Sequence, residues 1–291
     1  MDIKIAGVVV LYNCDKTIIQ NVSSYIDFID RIYIIDNSEN PNKEIIQELL
    51  YNYPNDKIVY VVNNDNLGIA MALNQAAQKA IDDNFTWLLT MDQDSYFEED
   101  QIKHLFNSFE YISNLNEIAV ITCNYKNPKS KHINKNSSEP KDLYKYKETL
   151  IGITSGNLLN LRAYLNIGKF EEKLFIDCVD HDYYLKSISK GYKVICYNNI
   201  FLNHTIGKTN KALFSIKIKT HPPLRIYYLT RNSLYLFTKY FKSFPVFISS
   251  RFFRLLVTLF RNILFDEKKT EKIKNIFKGV QDFLNNSYGK N

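Results

Sequence analysis

Asp92 and Asp94 stand one residue apart where the apolar run TWLLTM ends, in the stretch TWLLTMDQDSYF. Side chains alternate along a strand, so both carboxylates leave it toward the same face. Close carboxylates repel, which favours a bound divalent cation or a shared proton, and oxygen ligands of this kind suit Mg2+ or Mn2+. Magnesium sites commonly join one or two carboxylates to the phosphates of a substrate, so the pair is a candidate diphosphate-holding device. The same residues fit a metal-dependent phosphatase in which the first aspartate is a nucleophile. That arrangement follows the first strand of its domain, whereas three strand-like runs precede Asp92.

These runs belong to a regular alternation. IAGVVVLY, RIYIID, KIVYVV, TWLLTM and IAVITC, rich in Val, Ile and aromatics, are separated by helical spacings such as KEIIQELL and GIAMALNQAAQKAID. Strand and helix in alternation predict an α/β fold with a mostly parallel sheet covered on both sides. Ligands of such sheets collect outside the carboxyl ends of the strands. The residues there are Tyr12 and Asn13, then Asp36, Asn37 and Ser38, then Asn63 to Asn66, then Asp92 to Asp94. Any one of these clusters reads as an ordinary polar turn. Their joint position on one rim favours a shared small-molecule site.

Further along, FIDCVDHDYYLKSISKGYKVICYNN reads as a helix from about Asp180 with Gly191 near its C-cap, followed by a strand. The lysine-rich residues 126–148 read as a surface loop or flap. The first segment, MDIKIAGVVVLYN, lacks a basic leader and reads as a strand, not a signal peptide. Four widely spaced cysteines, with no CxxC pair, suggest neither a zinc site nor a disulfide framework and fit a reducing compartment. Charge is uneven: 20 basic against 27 acidic residues up to His204, and 17 basic against 4 acidic afterwards. The acidic body argues against a general nucleic-acid partner, while a basic end suits anionic lipid or a polyphosphate ligand.

The order VVVLYN, IIDNS, NNDNLGIAMALNQA, TMDQDS, TSGNLL, FIDCVDHDYYL and NHTIGK resembles the inverting family 2 glycosyltransferases of GT-A fold, and within them the bacterial rhamnosyltransferase-like members. The resemblance runs from about Ile5 to about Phe237. It implies a GT-A domain over residues 1–240, with a nucleotide-sugar-binding half at 1–125 and an acceptor half at 149–240, followed by a basic amphipathic helical extension at 241–291. It further implies that Tyr12, Asn13, Asp36, Asn37, Asn66, Gly68, Asn74, Asp92 and Arg231 serve the nucleotide-sugar, and that Ser155, Gly156 and Asn157 form the wall between donor and acceptor. Asp92, Asp94 and His204 would hold a divalent cation, Mg2+ or Mn2+. Asp180 would be the catalytic base; the family often has Glu-Asp there, and this chain has Val179 before Asp180. Asp177 and Asp182 lie close enough in sequence to substitute, and helix capping is the structural alternative for Asp180. His104, His132, His181 and His221 are read as structural. The implied reaction moves L-rhamnose from dTDP-rhamnose to a cell-surface polysaccharide, such as an O-antigen, or to its lipid-linked precursor. A UDP- or GDP-sugar donor and a sugar-nucleotide phosphatase are the alternatives.

Residues 244–265, FPVFISSRFFRLLVTLFRNILF, do not read as a simple membrane span. Their 14 Leu, Ile, Val and Phe contribute about −4 to −8 kcal/mol, and the three arginines cost about 8 to 10. On a helix Arg251, Arg254, Thr258 and Arg261 share one side, opposite an aromatic and aliphatic side, the pattern of a helix lying in a membrane interface. Packing of that apolar side onto the catalytic domain, or onto a second subunit in a homodimer, is the alternative. In DEKKTEKIKNIFKGVQDFL the expected apolar side is Ile273, Ile276, Phe277, Val280 and Phe283. Together these readings place the protein in the cytoplasm, peripheral at the inner face of the cell membrane.

Overall fold

The computed structural model describes residues 3–54, 56–126, 143–204, 212–213, 216–217, 220–265 and 268–291. His132, most of the expected 126–148 loop and the end of the NHTIGK motif lie outside the described residues. Contacts divide the chain into two compact units, Met1–Phe170 with Tyr183–Thr205 and Glu171–Asp182 with Ile206–Asn291.

In the first unit β1 (Ile5–Leu11), α1 (Thr17–Ser23), β2 (Arg31–Asp36), α2 (Lys43–Tyr51), β3 (Ile58–Val62), α3 (Ile69–Asp82) and β4 (Trp87–Asp92) follow in the alternation expected. Next come β5 (Ser95–Tyr96), α4 (Glu99–Asn107), β6 (Ile118–Lys126), β7 (Tyr146–Glu148), β8 (Asn157–Asn160), α5 (Leu161–Ile167), α6 (Val179–Ser189), whose residues up to Asp182 fall in the second unit, and β9 (Lys193–His204). β7, inside the stretch expected to be loop, pairs with β9 in antiparallel register.

The sheet runs β3-β2-β1-β4-β8-β6-β9-β5, with β7 on β9. β1 to β4, β6 and β9 point one way, so most strands are parallel, while β8, β5 and β7 run against their neighbours. Strands buried on both faces need no alternation of polar residues. β1, β2 and β4 are accordingly near-continuous apolar runs with almost every residue buried. α3 covers one face with Ala72, Leu73, Ala76 and Ala80, small residues that let it lie close to the strands. Asn42 caps α2, its side chain accepting from Ile45 N, and Asn160 caps α5 through Arg162 N and Ala163 N.

The second unit contains α7 (Pro223–Tyr240), α8 (Pro245–Phe265) and α9 (Lys269–Leu284). α7, grouped above with the transferase domain, packs here with α9. A Cβ at Gly279 would lie 2.9 Å from the Tyr227 carbonyl oxygen, so α9 meets the α7 backbone directly. The apolar side expected of α9 is covered only in part: Ile276, Val280 and Phe283 are half-buried, Ile273 and Phe277 exposed. Lys272 and Gly279 are buried, while Phe277 is 71% exposed. Lys272 Nζ donates to Asn262 Oδ1 of α8 at 2.8 Å, which lets the inward position hold a charged residue.

Candidate active site

The first four strands end on one rim, and side chains tie their ends together. Gln93, between the two aspartates, accepts from Tyr12 N at 2.8 Å and donates back to Tyr12 O at 3.2 Å. Asn13 N donates to Ser38 Oγ at 2.7 Å, joining the ends of β1 and β2. The Asp36 carboxylate is buried, and accepts from Ser38 N and the Tyr60 hydroxyl, each at 2.9 Å. Asn37 donates to Gly68 O at 3.1 Å and accepts from Asn63 at 2.8 Å, and Asn63 in turn pairs with Gln75 of α3. Asn66 Oδ1 accepts from Gly68 N at 3.1 Å. Gly68 caps α3 with φ +83°, a conformation that glycine adopts without steric cost. Tyr12, Asn13, Asp36, Asn37, Asn66 and Gly68 thus share one network at the strand ends. Asn74 does not join it. Buried in α3, it accepts from Tyr164 and Phe170 N and donates to Phe170 O, all at about 2.9–3.0 Å, and so braces the chain around residue 170.

Asp92 ends β4, its backbone N–H donating to Ser155 Oγ at 2.9 Å. Three residues on, β5 pairs with β9 so that Ser95 faces His204. Ser95 Oγ and His204 Nδ1 share a hydrogen bond of 2.8 Å, and the same nitrogen lies 3.3 Å from Asp94 Oδ1. One ligand atom each from Asp92, Asp94 and His204 then lie within 4.8 Å of one another. Two carboxylates and an imidazole at this separation fit a hard or borderline divalent cation, with Asp94 exposed enough to leave room for a substrate oxygen. Behind Asp92, Gly156 takes φ +78° and donates to Thr90 O at 2.8 Å. A side chain at Gly156 would meet Leu202, Cys123 and Phe97 at 3.1–3.3 Å. Asn157 is buried, its Nδ2 donating to the Tyr184 hydroxyl at 2.7 Å while its Oδ1 has no partner among the described residues.

In the second unit the approach to Asp180 is strained. Phe175, Asp177 and Cys178 all take positive φ, which is rare outside glycine and clusters where the fold holds a functional segment in place. α7 supplies the restraint. Asn232 Nδ2 donates to the carbonyls of Leu174, Ile176 and Asp177 at 2.7–3.0 Å. Arg231 was expected to serve the nucleotide-sugar, but it is buried and its guanidinium is used on protein. It donates to Asn232 Oδ1, the Tyr227 hydroxyl and the carbonyls of Gly289, Lys173 and Leu174. The pair Arg231–Asn232 therefore clamps the turn before α6, and its adjacency in YYLTRNS was the available signal.

The three neighbouring acids are separated by their partners. Asp177 pairs with Arg225 at 2.9 Å, yet burial pushes its carboxyl up against that partner's pull. Asp182 is fully buried against Lys239 Nζ at 2.7 Å and the Tyr240 hydroxyl at 3.0 Å. Asp180 Oδ1 accepts from both the backbone N–H of His181 and its Nδ1, at 2.8 Å each. Burial opposes ionisation of Asp180, but His181 and the field of Arg251 outweigh it and hold its carboxyl below the usual range. Asp180 is the member of the trio with no lysine or arginine in direct contact among the described residues.

A parallel-stranded α/β sheet whose polar strand ends converge on an Asp-x-Asp turn defines a glycosyltransferase of GT-A fold. The profile of Glycosyl transferase family 2 matches residues 8–168, more than half of the chain, and the chain belongs to that family. It is 25% identical over 294 residues to the dTDP-rhamnosyl transferase RfbF of Shigella flexneri, covering 96% of this chain and 94% of that protein. Among solved structures it is similar to S. aureus TarS, with a TM-score of 0.58 and 14% identity over 97% of this chain; it spans 49% of that TarS chain. TarS 1-349 in complex with UDP-GlcNAc gives 0.56 and 15% over 97% of this chain and 81% of that one. GalNAc-T7 with UDP, GalNAc and Mn2+ gives 0.54 and 15% over 79% and 51%. At these identities the structural likenesses speak for the fold alone.

Proposed function

We propose that the protein transfers L-rhamnose from dTDP-rhamnose, with inversion at the anomeric carbon, to a cell-surface polysaccharide or its lipid-linked precursor. The observation that carries this reading is the convergence of Asp92, Asp94 and His204 beside the tied strand ends, in a chain similar to a rhamnosyl transferase along nearly its whole length. Tyr12, Asn13, Asp36, Asn37, Asn66 and Gly68 bind the donor nucleotide. Ser155 fixes the backbone of Asp92, while Gly156 and Asn157 form the wall that separates donor from acceptor. Asp92, Asp94 and His204 hold Mg2+ or Mn2+, which when bound offsets the charge on a leaving diphosphate. Asp180 takes the proton of the acceptor hydroxyl as that oxygen attacks the anomeric carbon. Its lowered pKa keeps it ionised at neutral pH, ready to accept.

Among the described residues no helix is long and apolar enough to cross a membrane. Val246, Phe253 and Phe260 of α8 are 84%, 66% and 62% exposed, and no acidic residue occurs in that helix. This supports attachment of α8 and α9 to an anionic membrane surface, at the cytoplasmic face where nucleotide-sugars are available. Titration with dTDP-, UDP- and GDP-sugars, with and without Mn2+, tests donor and cation together. dTDP-rhamnose should bind tightest and only with the cation; a UDP- or GDP-sugar bound more tightly would replace the donor assignment.

A further inference from the structure

α8 mixes polar and apolar residues on its packed side. Ile248, Leu255 and Asn262, seven residues apart, are its buried positions, and Arg251, Arg254 and Thr258 lie on that same side. Phe253, Leu256, Val257, Phe260 and Leu264 are exposed on the other. Arg251 is half-buried and Arg254 is exposed, and a partly buried arginine costs desolvation unless an anion meets it. Among the described residues neither the Arg251 nor the Arg254 guanidinium makes a hydrogen bond or an ion pair; Arg251 reaches Asp180 through its field.

Between α7 and α8 the two arginines open onto a cavity of roughly 230 Å3, which they line with His181, Ser233, Leu236 and Phe252 among others. This is the space of about eight waters at ~30 Å3 each. His181 Nδ1 is taken by Asp180 Oδ1, while its Nε2 is buried with no hydrogen-bond partner among the described residues. A buried ring nitrogen left unsatisfied is costly and asks for a ligand. The cavity thus offers two guanidinium groups, a ring nitrogen and a hydroxyl beside apolar walls. An inorganic anion would leave the apolar walls unfilled, and a neutral chain would leave the arginines unpaired. Phosphoryl oxygens match the guanidinium fork.

We propose that this cavity binds the phosphoryl group of a phosphate or diphosphate ester carrying an apolar chain, the lipid linkage of the acceptor itself. The inference deepens the transferase reading and rests on it. Because His181 is bonded to Asp180, the phosphoryl group is held beside the residue assigned as base. The hydroxyl that receives the sugar then belongs to a saccharide unit close to the phosphate, which marks an early transfer onto a lipid carrier and not the extension of a long glycan.

Calorimetric titration of the full chain with geranyl diphosphate tests this, in EDTA so that the Asp92–Asp94–His204 site cannot contribute through a cation. Geranyl diphosphate should bind about tenfold or more tightly than either geraniol or inorganic diphosphate. Arg251→Gln with Arg254→Gln should weaken it about tenfold, while the affinity for dTDP with Mn2+ and the melting temperature stay unchanged. Where the double variant is unstable, Arg254→Gln alone, at an exposed position, should weaken binding about threefold. Equal binding of inorganic diphosphate or geraniol, undiminished binding by either variant, or binding to phosphatidylglycerol vesicles without binding of soluble geranyl diphosphate would each overturn the proposal. Failure of the transferase reading shows separately, as absent dTDP-rhamnose binding with geranyl diphosphate still bound.

Discussion

The rim of the sheet and the helices of the second unit handle charge in opposite ways. At the rim polar side chains tie one strand to the next, Ser38 to the backbone of Asn13, Asp36 to Tyr60, Gln93 to the backbone of Tyr12, so the site is preorganised by its own members. In α8 and α9 charged and aromatic residues share the surface, with Lys272 buried and Arg251 half-buried while Phe253, Phe260 and Phe277 stay open to solvent. A rim of this kind suits a small, polar, soluble donor. A helical face of the second kind asks for something amphiphilic on both of its sides.

Substitutions can break this contrast, and the largest effect is expected at Asp180. Asp180→Asn should lower kcat by about 10²- to 10⁴-fold with donor affinity unchanged, read from transfer kinetics and nucleotide titration. The depressed carboxyl sets the sign of the pH dependence. The group stays ionised as pH falls to its ordinary value of 3.8, so transfer should lose its base only below about pH 4. An acid limb at pH 6 to 7 would assign the base elsewhere. At the rim, Asp94→Ala should raise the Mn2+ concentration needed for half-maximal donor binding by about tenfold or more. Unchanged metal dependence would empty the proposed cation site. In the helices, Gly279→Val should cost about 1–3 kcal/mol in denaturant unfolding, because its side chain would press on the Tyr227 carbonyl. The smallest effect on stability belongs to the exposed face. Phe253→Glu with Phe260→Glu should shift stability by about 0.5 kcal/mol or less while abolishing adsorption to phosphatidylglycerol vesicles; retained adsorption would detach α8 from the membrane role.

What the sequence revealed follows the same division. β1 to β4, β6 and α3 were legible because buried strands and a packed helix carry their period in the chain itself. The rim was legible as a set of strand ends. The approach of His204 to Asp94 was visible only through resemblance, since β5 and β9 pair across 109 residues. Asn74 and Arg231 were read as ligands because polar residues in a motif look alike whether they meet substrate or backbone. Their partners lie 96 and 58 residues away, beyond any local pattern. For α8 spacing separates an arginine side from an apolar side but does not say which residues pack inward, and Arg254 and Arg261 are exposed as Phe253 and Phe260 are. The inward residues are Ile248, Leu255 and Asn262, threaded among the arginines.

Gln93 sits between the two aspartates, and its amide grips the neighbouring strand tip at Tyr12. The Asp-x-Asp triplet is therefore a three-pronged buckle in which the middle prong fastens the scaffold while the outer two carry the carboxylates proposed to hold the cation. Lengthening it by one residue would do more than move a carboxylate, because the two strand tips would come unfastened from each other.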